Sequence, residues 1–153
     1  MREILFRGQT RRKGEKVRMD GSPVDSNWVY GGIFPGEGDR SIIYQTKPEI
    51  NKFPVYSDTV GQYTGLTDKN SVRIFEGDIL KFYGEDGDEE SYTKYEVIWL
   101  ENGWHAQDVH RLYMADTLSP PSWVKEHFEV IGNIYDNPEL LRKESKYDNR
   151  ESD

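Results

Sequence analysis

Short apolar stretches, cut off by glycine, proline, asparagine or aspartate, follow one another along most of this chain. Runs of that length, rich in β-branched and aromatic residues, predict strands rather than helices. Arg2 to Arg7 is the first and Asn27 to Phe34 the second, with Gly31-Gly32 marking a bulge or the close approach of another backbone. Pro35 to Asp39 reads as a turn, so Ser41 to Gln45 should return as a hairpin partner. A polar linker follows through Pro48 and Pro54. Thr59 to Gly65 predicts a further strand, and Thr67 to Ser71 a turn of residues that tolerate left-handed angles. Ile79 to Tyr83 is a strand entered through Glu76-Gly77-Asp78. Tyr92 to Leu100 is the longest strand candidate, with Lys94, Glu96 and Ile98 on one face and Tyr95, Val97 and Trp99 on the other. Asn102-Gly103 is a strong two-residue hairpin signal, which sends Trp104 to Gln107 back antiparallel and sets Trp104 across from Leu100 or Glu101. Ser122 to His127 has room for one helical turn, and Phe128 to Tyr135 is the last strand. Asn137 and Pro138 fit the N-cap and first position of a short C-terminal helix.

Short strands at near-regular spacing predict a mainly β protein, a small barrel or sandwich. A strand, an acidic loop, a long strand, an Asn-Gly hairpin and a closing strand resemble an SH3-like barrel. The 10 Tyr, 6 Phe and 4 Trp in 153 residues supply large buried areas to a thin core. There are no cysteines, which removes disulfides, thiolate metal sites and thiol catalysis. Ile4-Leu5-Phe6 is too short for a signal peptide, whose apolar region needs roughly 7–15 residues, or for a membrane span of about 20. No membrane association and a place in the cytoplasm of a bacterial cell are the expectations.

Charge changes the picture locally. The net charge is −8, yet residues 1–20 hold seven Lys and Arg against three Asp and Glu, whereas residues 76–101 hold two against nine. Most of the chain would repel a phosphate backbone, so nucleic acid is not the expected partner. The basic Arg11, Arg12 and Lys13 and the acidic Asp86, Glu89 and Glu90 read as solvated loops, or as complementary patches for head-to-tail association. The alternatives are a basic segment resting on nucleic acid and an acidic loop imitating it.

Catalytic chemistry finds little to stand on. Glu76 and Asp78 flank a glycine, a spacing that could share a cation or proton, but a Gly-Asp strand entry more simply bonds its own backbone. His105 and His110 are five apart, off both the strand and the helix spacing for a shared ligand, and no metal or other cofactor is implied. Phosphate loops, nucleophile elbows and His-Glu helix motifs are missing, leaving only a site assembled from afar, such as Asp78, His105 and Asp108. The chain reads as no enzyme. Trp28, Trp99 and Trp104, with His105, are the candidates for contact with a partner: a host or phage protein, or a second copy.

Four blocks carry a family likeness: Arg2 to Gly8, Trp28 to Gly31, Thr59 to Leu66 together with Ile74 to Ile79, and Glu129 to Leu141. In these the chain resembles the YopX family of bacteriophage and prophage proteins. Two features depart from that family: Ser71 stands where Asp-Lys-Asn is commonly followed by glycine, and the segment between Gly8 and Trp28 is longer than usual. The resemblance implies a two-part β structure, an N-terminal β subdomain over 1–65 packed with an SH3-like barrel over 66–141. A charged tail over 142–153 follows. The resemblance brings neither a function nor catalytic residues to carry over; the small-barrel pattern, the aromatic content, the uneven charge and the lack of catalytic motifs point to an accessory protein that binds or assembles.

Overall fold

The computed structural model describes residues 3–15, 18–22, 24–83, 93–111 and 114–142. Among these the chain is mainly β, with two antiparallel sheets and one short α-helix, and it divides into two compact units, Met1–Gly65 and Leu66–Asp153.

In the first unit, β1 (Phe6–Arg11), β2 (Asn27–Pro35), β3 (Arg40–Gln45) and β4 (Asn51–Tyr56) follow in chain order, and β5 (Gly61–Thr67) begins beside β1. Their order across the sheet is β4-β3-β2-β1-β5. β1 starts later than its apolar residues suggest and runs on through polar ones. Its Arg7 and Gln9 are buried, the Arg7 guanidinium lies 4.6 Å from the Trp28 ring centre, and the Gln9 backbone N–H donates to Thr59 Oγ1. The expected linker around Pro54 is instead strand β4. It sits at the sheet edge, where a residue without an N–H interrupts no interior ladder. The β2–β3 hairpin forms as expected. Gly31-Gly32 allows close approach, with Gly31 under the Tyr44 carbonyl and Gly32 under the Tyr44 ring, whereas the bulge falls at Thr10. Val29, Ile43 and Val55 form the core with Phe6, Ile33, Phe53 and Val60 around them. Gly8 lets β1 meet β4 across it: a Cβ there would lie 2.7 Å from Val55 Cγ2.

The second unit contains β6 (Arg73–Phe75), β7 (Asp78–Phe82), β8 (Lys94–Leu100), β9 (Gly103–Asp108), β10 (Ala115–Thr117), α1 (Pro121–His127) and β11 (Phe128–Asn133). Its sheet has the order β10-β9-β8-β7-β11. Leu80, Val97, Trp104, Ala106 and Phe128 pack on one face with Ile74, Leu118 and Val124. β10 is too short and polar to carry a periodic signal; it is held by Asp108 N–H donating to the Met114 carbonyl and Leu118 N–H to that of Trp104. The C-terminal helix shrinks to one 3-10 turn, Pro138–Leu141. Asn137 does not cap it, because its Oδ1 accepts instead from the Asn133 N–H.

Two turns explain how this unit holds its register. Asp68 is fully buried: Oδ1 accepts from the N–H groups of Asn70 (2.8 Å) and Val72 (2.9 Å), and Oδ2 from that of Val130 (2.8 Å). One carboxylate thus closes the 67–72 turn and ties it to β11. Ser71 takes φ 63° here, so the left-handed angle survives without the glycine.

The second turn differs from its expected form. Leu100 pairs with Gly103 and Trp99 with Trp104, so Glu101 and Asn102 are the central residues and Glu101 carries φ 57°. Centring on Asn102-Gly103 would set Glu101 against Trp104 and Val97 against Asp108. The observed register matches Val97 with Ala106 and joins two indoles. An aromatic pair contributes about 0.5–1.5 kcal/mol beyond its buried area. That offsets the roughly 1 kcal/mol or more of a left-handed glutamate.

Candidate functional site

The outer end of the β8–β9 hairpin holds the most exposed aromatic side chain among the described residues. Trp99 is 52% exposed and Leu100 beside it 41%, while Trp104 is 9% exposed. The two indoles meet edge-on, 4.9 Å between centroids at 75°. Alternation puts both on the face that carries the core, so Trp99 is the outermost member of an apolar row that begins with Tyr95 and Val97. The buried Trp104 Nε1–H meets no acceptor among the described residues.

The other sequence candidates are not brought to this pair. His105 points to the opposite face from Trp104, across from Ile98, with Nδ1 3.0 Å from the Gly103 carbonyl oxygen. Trp28 belongs to the first unit, where it holds the Arg7 guanidinium. Arg11 Nε–H donates to the Asp25 carbonyl oxygen. Arg12 makes a two-pronged ion pair with Asp58, at 3.0 and 3.1 Å, and lies over the Tyr56 ring, so it is not part of a loose basic loop. Lys13 is exposed. Asp86, Glu89 and Glu90 fall outside the described residues.

The carboxylates and histidines that could have formed a catalytic site, Asp78, His105 and Asp108, bond to nearby backbone groups rather than to one another. Asp78 is buried and Oδ2 accepts from the Phe75 N–H at 2.7 Å, closing the β6–β7 turn through Gly77 at φ 90°. Asp108 Oδ1 accepts from the N–H groups of His110 and Arg111. His105 and Asp108, three apart on β9, point to opposite faces. His127 stacks on Phe82, and its Nδ1 lies 3.0 Å from the Trp123 carbonyl oxygen. Glu96 on β8 is held above the ordinary carboxyl range, by burial first and by the neighbouring Glu76 charge second. No group of three or more metal-binding side chains occurs among the described residues. None of the helices among them is long and apolar enough to cross a membrane.

The YopX protein family model matches residues 26–142, most of the chain. The chain belongs to the YopX family. The block Arg2 to Gly8, which also suggested this family, precedes the matched range. No curated protein matches. Among solved structures, the crystal structure of protein EF1440 from Enterococcus faecalis is similar at 20% identity and a TM-score of 0.51, over 93% of this chain and 100% of that one. At that identity the likeness concerns the fold alone.

Sequence reasoning missed one surface of this YopX-family chain. On β2 and β3, Tyr30 (42% exposed), Phe34 (38%) and Tyr44 (37%) share the sheet face opposite the Val29–Ile43–Val55 core. Period-2 spacing of Trp28, Tyr30 and Phe34 was the legible signal. The part of Tyr44 was not, because it depends on the β2–β3 register.

Proposed function

We propose that this YopX-family chain is a non-enzymatic binding or assembly module of a phage or its bacterial host, acting in the cytoplasm. Its contact surface in this reading is the β8–β9 hairpin end. The observation that supports it is the half-exposed Trp99, rigidly backed by Trp104 and flanked by Leu100. Tryptophans seated on a packed support are typical anchors of protein interfaces, where a few side chains carry most of the binding energy. Solvent gains nothing from this pair, whereas a partner covering it removes apolar surface from water. The finer reading of this unit as an SH3-like barrel draws on the β7–β8–β9–β10 meander with its core on one face.

The test places a photo-crosslinking amino acid at position 99 of the full chain, with position 72 as an exposed control, in cells that express it. A discrete protein adduct at 99 that disappears with Leu100→Asp is expected, whether the partner is another protein or a second copy. Identical patterns at 99 and 72, from a chain that stays monomeric in solution, would sink the reading.

A further inference from the structure

The first unit carries a second surface, of different chemistry. Successive residues on one face of β2 stand about 7 Å apart, two steps of roughly 3.4 Å. Trp28, Tyr30 and Phe34 occupy three of these positions and Gly32 the fourth. The gap at Gly32 is filled from the next strand: a Cβ added there would run into the Tyr44 ring, which therefore lies over the glycine. Tyr44 also packs on Phe34, 5.5 Å between centroids. Four aromatic side chains, three from β2 and one from β3, thus share this face.

Cations border these rings. Lys52, paired with Tyr44 in the β3–β4 register, places its ammonium 5.8 Å from the Phe34 ring centre. Arg40 lies over Tyr56 at 3.7 Å, on the same face. Asp39 lies 3.7 Å from Arg40, so these two charges offset each other, and Glu15 accepts from the Tyr56 hydroxyl; Lys52 is the cation left to the rings. Charge is also divided along the chain. Up to residue 65 there are ten Lys and Arg against eight Asp and Glu, a balance of +2; beyond it, ten against twenty, a balance of −10. The repulsion that makes nucleic acid an unexpected partner therefore arises from the second unit's sequence, not from the unit that bears the rings.

We infer that this β2–β3 face binds single-stranded nucleic acid, its bases stacking on the aromatic side chains and its phosphates meeting Lys52. Rings at strand spacing suit an extended single strand, whose bases are splayed at comparable intervals. A duplex hides those base faces and offers the rings nothing. Stacking on aromatic side chains with cations alongside is the common physics of sequence-tolerant single-strand binding. A protein partner for this face is the competing occupant.

Fluorescence anisotropy with a labelled oligothymidylate and oligouridylate of about twelve nucleotides, within the usual span of one small binding fold, decides the matter. The full chain should bind at low salt, lose affinity as salt rises, and prefer the single strand to a duplex of equal length. Tyr30→Ala and Phe34→Ala should each weaken binding on the order of tenfold, the scale of one lost stacking contact. Phe34→Tyr should retain binding, which separates stacking from damage to the fold, and Lys52→Glu should weaken it without changing the circular dichroism. Four outcomes overturn the inference: no binding at low salt; equal affinity for duplex; binding indifferent to the ring substitutions but lost with Arg12→Gln; or the same ring substitutions dissolving an oligomer while leaving oligonucleotide affinity unchanged.

Discussion

Replacing Asp68 removes the acceptor for three backbone N–H groups at once, so the 67–72 turn and its tie to β11 depend on one side chain. A hydrogen bond to a charged group contributes about 1.5–3 kcal/mol, and three would sum to about 4.5–9 if all were fully buried. They are not: Asn70, Ser71 and Val72 are exposed, so water can reach two of the donors once the carboxylate is gone. The Val130 N–H, in a half-buried strand, has no such replacement close by. Asp68→Ala should therefore cost about 3–4 kcal/mol, and Asp68→Asn about 2, since the amide retains one acceptor but turns its NH2 donor toward a neighbouring donor. Urea unfolding followed by tryptophan fluorescence is the assay, because Trp99, Trp104 and Trp123 all report on the second unit. With a slope of about 1–3 kcal/mol per molar, the Ala variant's midpoint should fall by about 1–4 M. A loss below about 1 kcal/mol for Ala, or an Asn variant as stable as the parent, would refute the assignment of Asp68 as the tie.

Gly8→Ala should destabilise the first unit by about 1–3 kcal/mol through overpacking, because the new methyl would meet Val55 at 2.7 Å; Trp28 fluorescence in the Trp99→Phe, Trp104→Phe, Trp123→Phe background reads it. Ser71→Gly and Glu101→Gly should each raise the second unit's stability by up to about 1 kcal/mol, relieving left-handed angles of 63° and 57°, and a lower unfolding midpoint for either would contradict the turn geometry. Glu96→Gln should stabilise the chain near neutral pH. The folded state binds the Glu96 proton more tightly than the unfolded chain does, so this contribution is fully present below the unfolded pKa of about 4.3 and is lost as pH rises through the raised folded value. Because Glu96 is partly exposed and solvent screens it, the gain should be small, and it should vanish below about pH 4 when urea midpoints are compared across pH.

Several elements are legible from residue order alone because their causes are local. The β2–β3 hairpin follows from turn residues between two apolar runs, and the Glu76-Gly77-Asp78 entry follows from a carboxylate beside its own backbone N–H groups. Likewise, the family follows from blocks that stand in the sequence itself. The parts that were not legible have non-local causes. Pro54 lies in a strand because β4 happens to be an edge, and Asn137 leaves its helix uncapped because Asn133 competes for its oxygen. At the β8–β9 turn, the local preference for Asn-Gly yields to the pairing of Trp99 with Trp104, a contact no two-residue rule contains.

The candidate surfaces divide in the same way. The tryptophans and the aromatic alternation on β2 are properties of the chain as written, and alternation alone assigns Trp104 and His105 to opposite faces. Only the tertiary structure decides that Trp99 stays half exposed, that Arg12 is spent on Asp58 and Tyr56, and that Tyr44 closes the gap over Gly32. The reason is physical: the sequence determines which face a side chain occupies through the two-residue period, but exposure and contact depend on which strand arrives next to it, and that is set by register and packing summed over the whole unit.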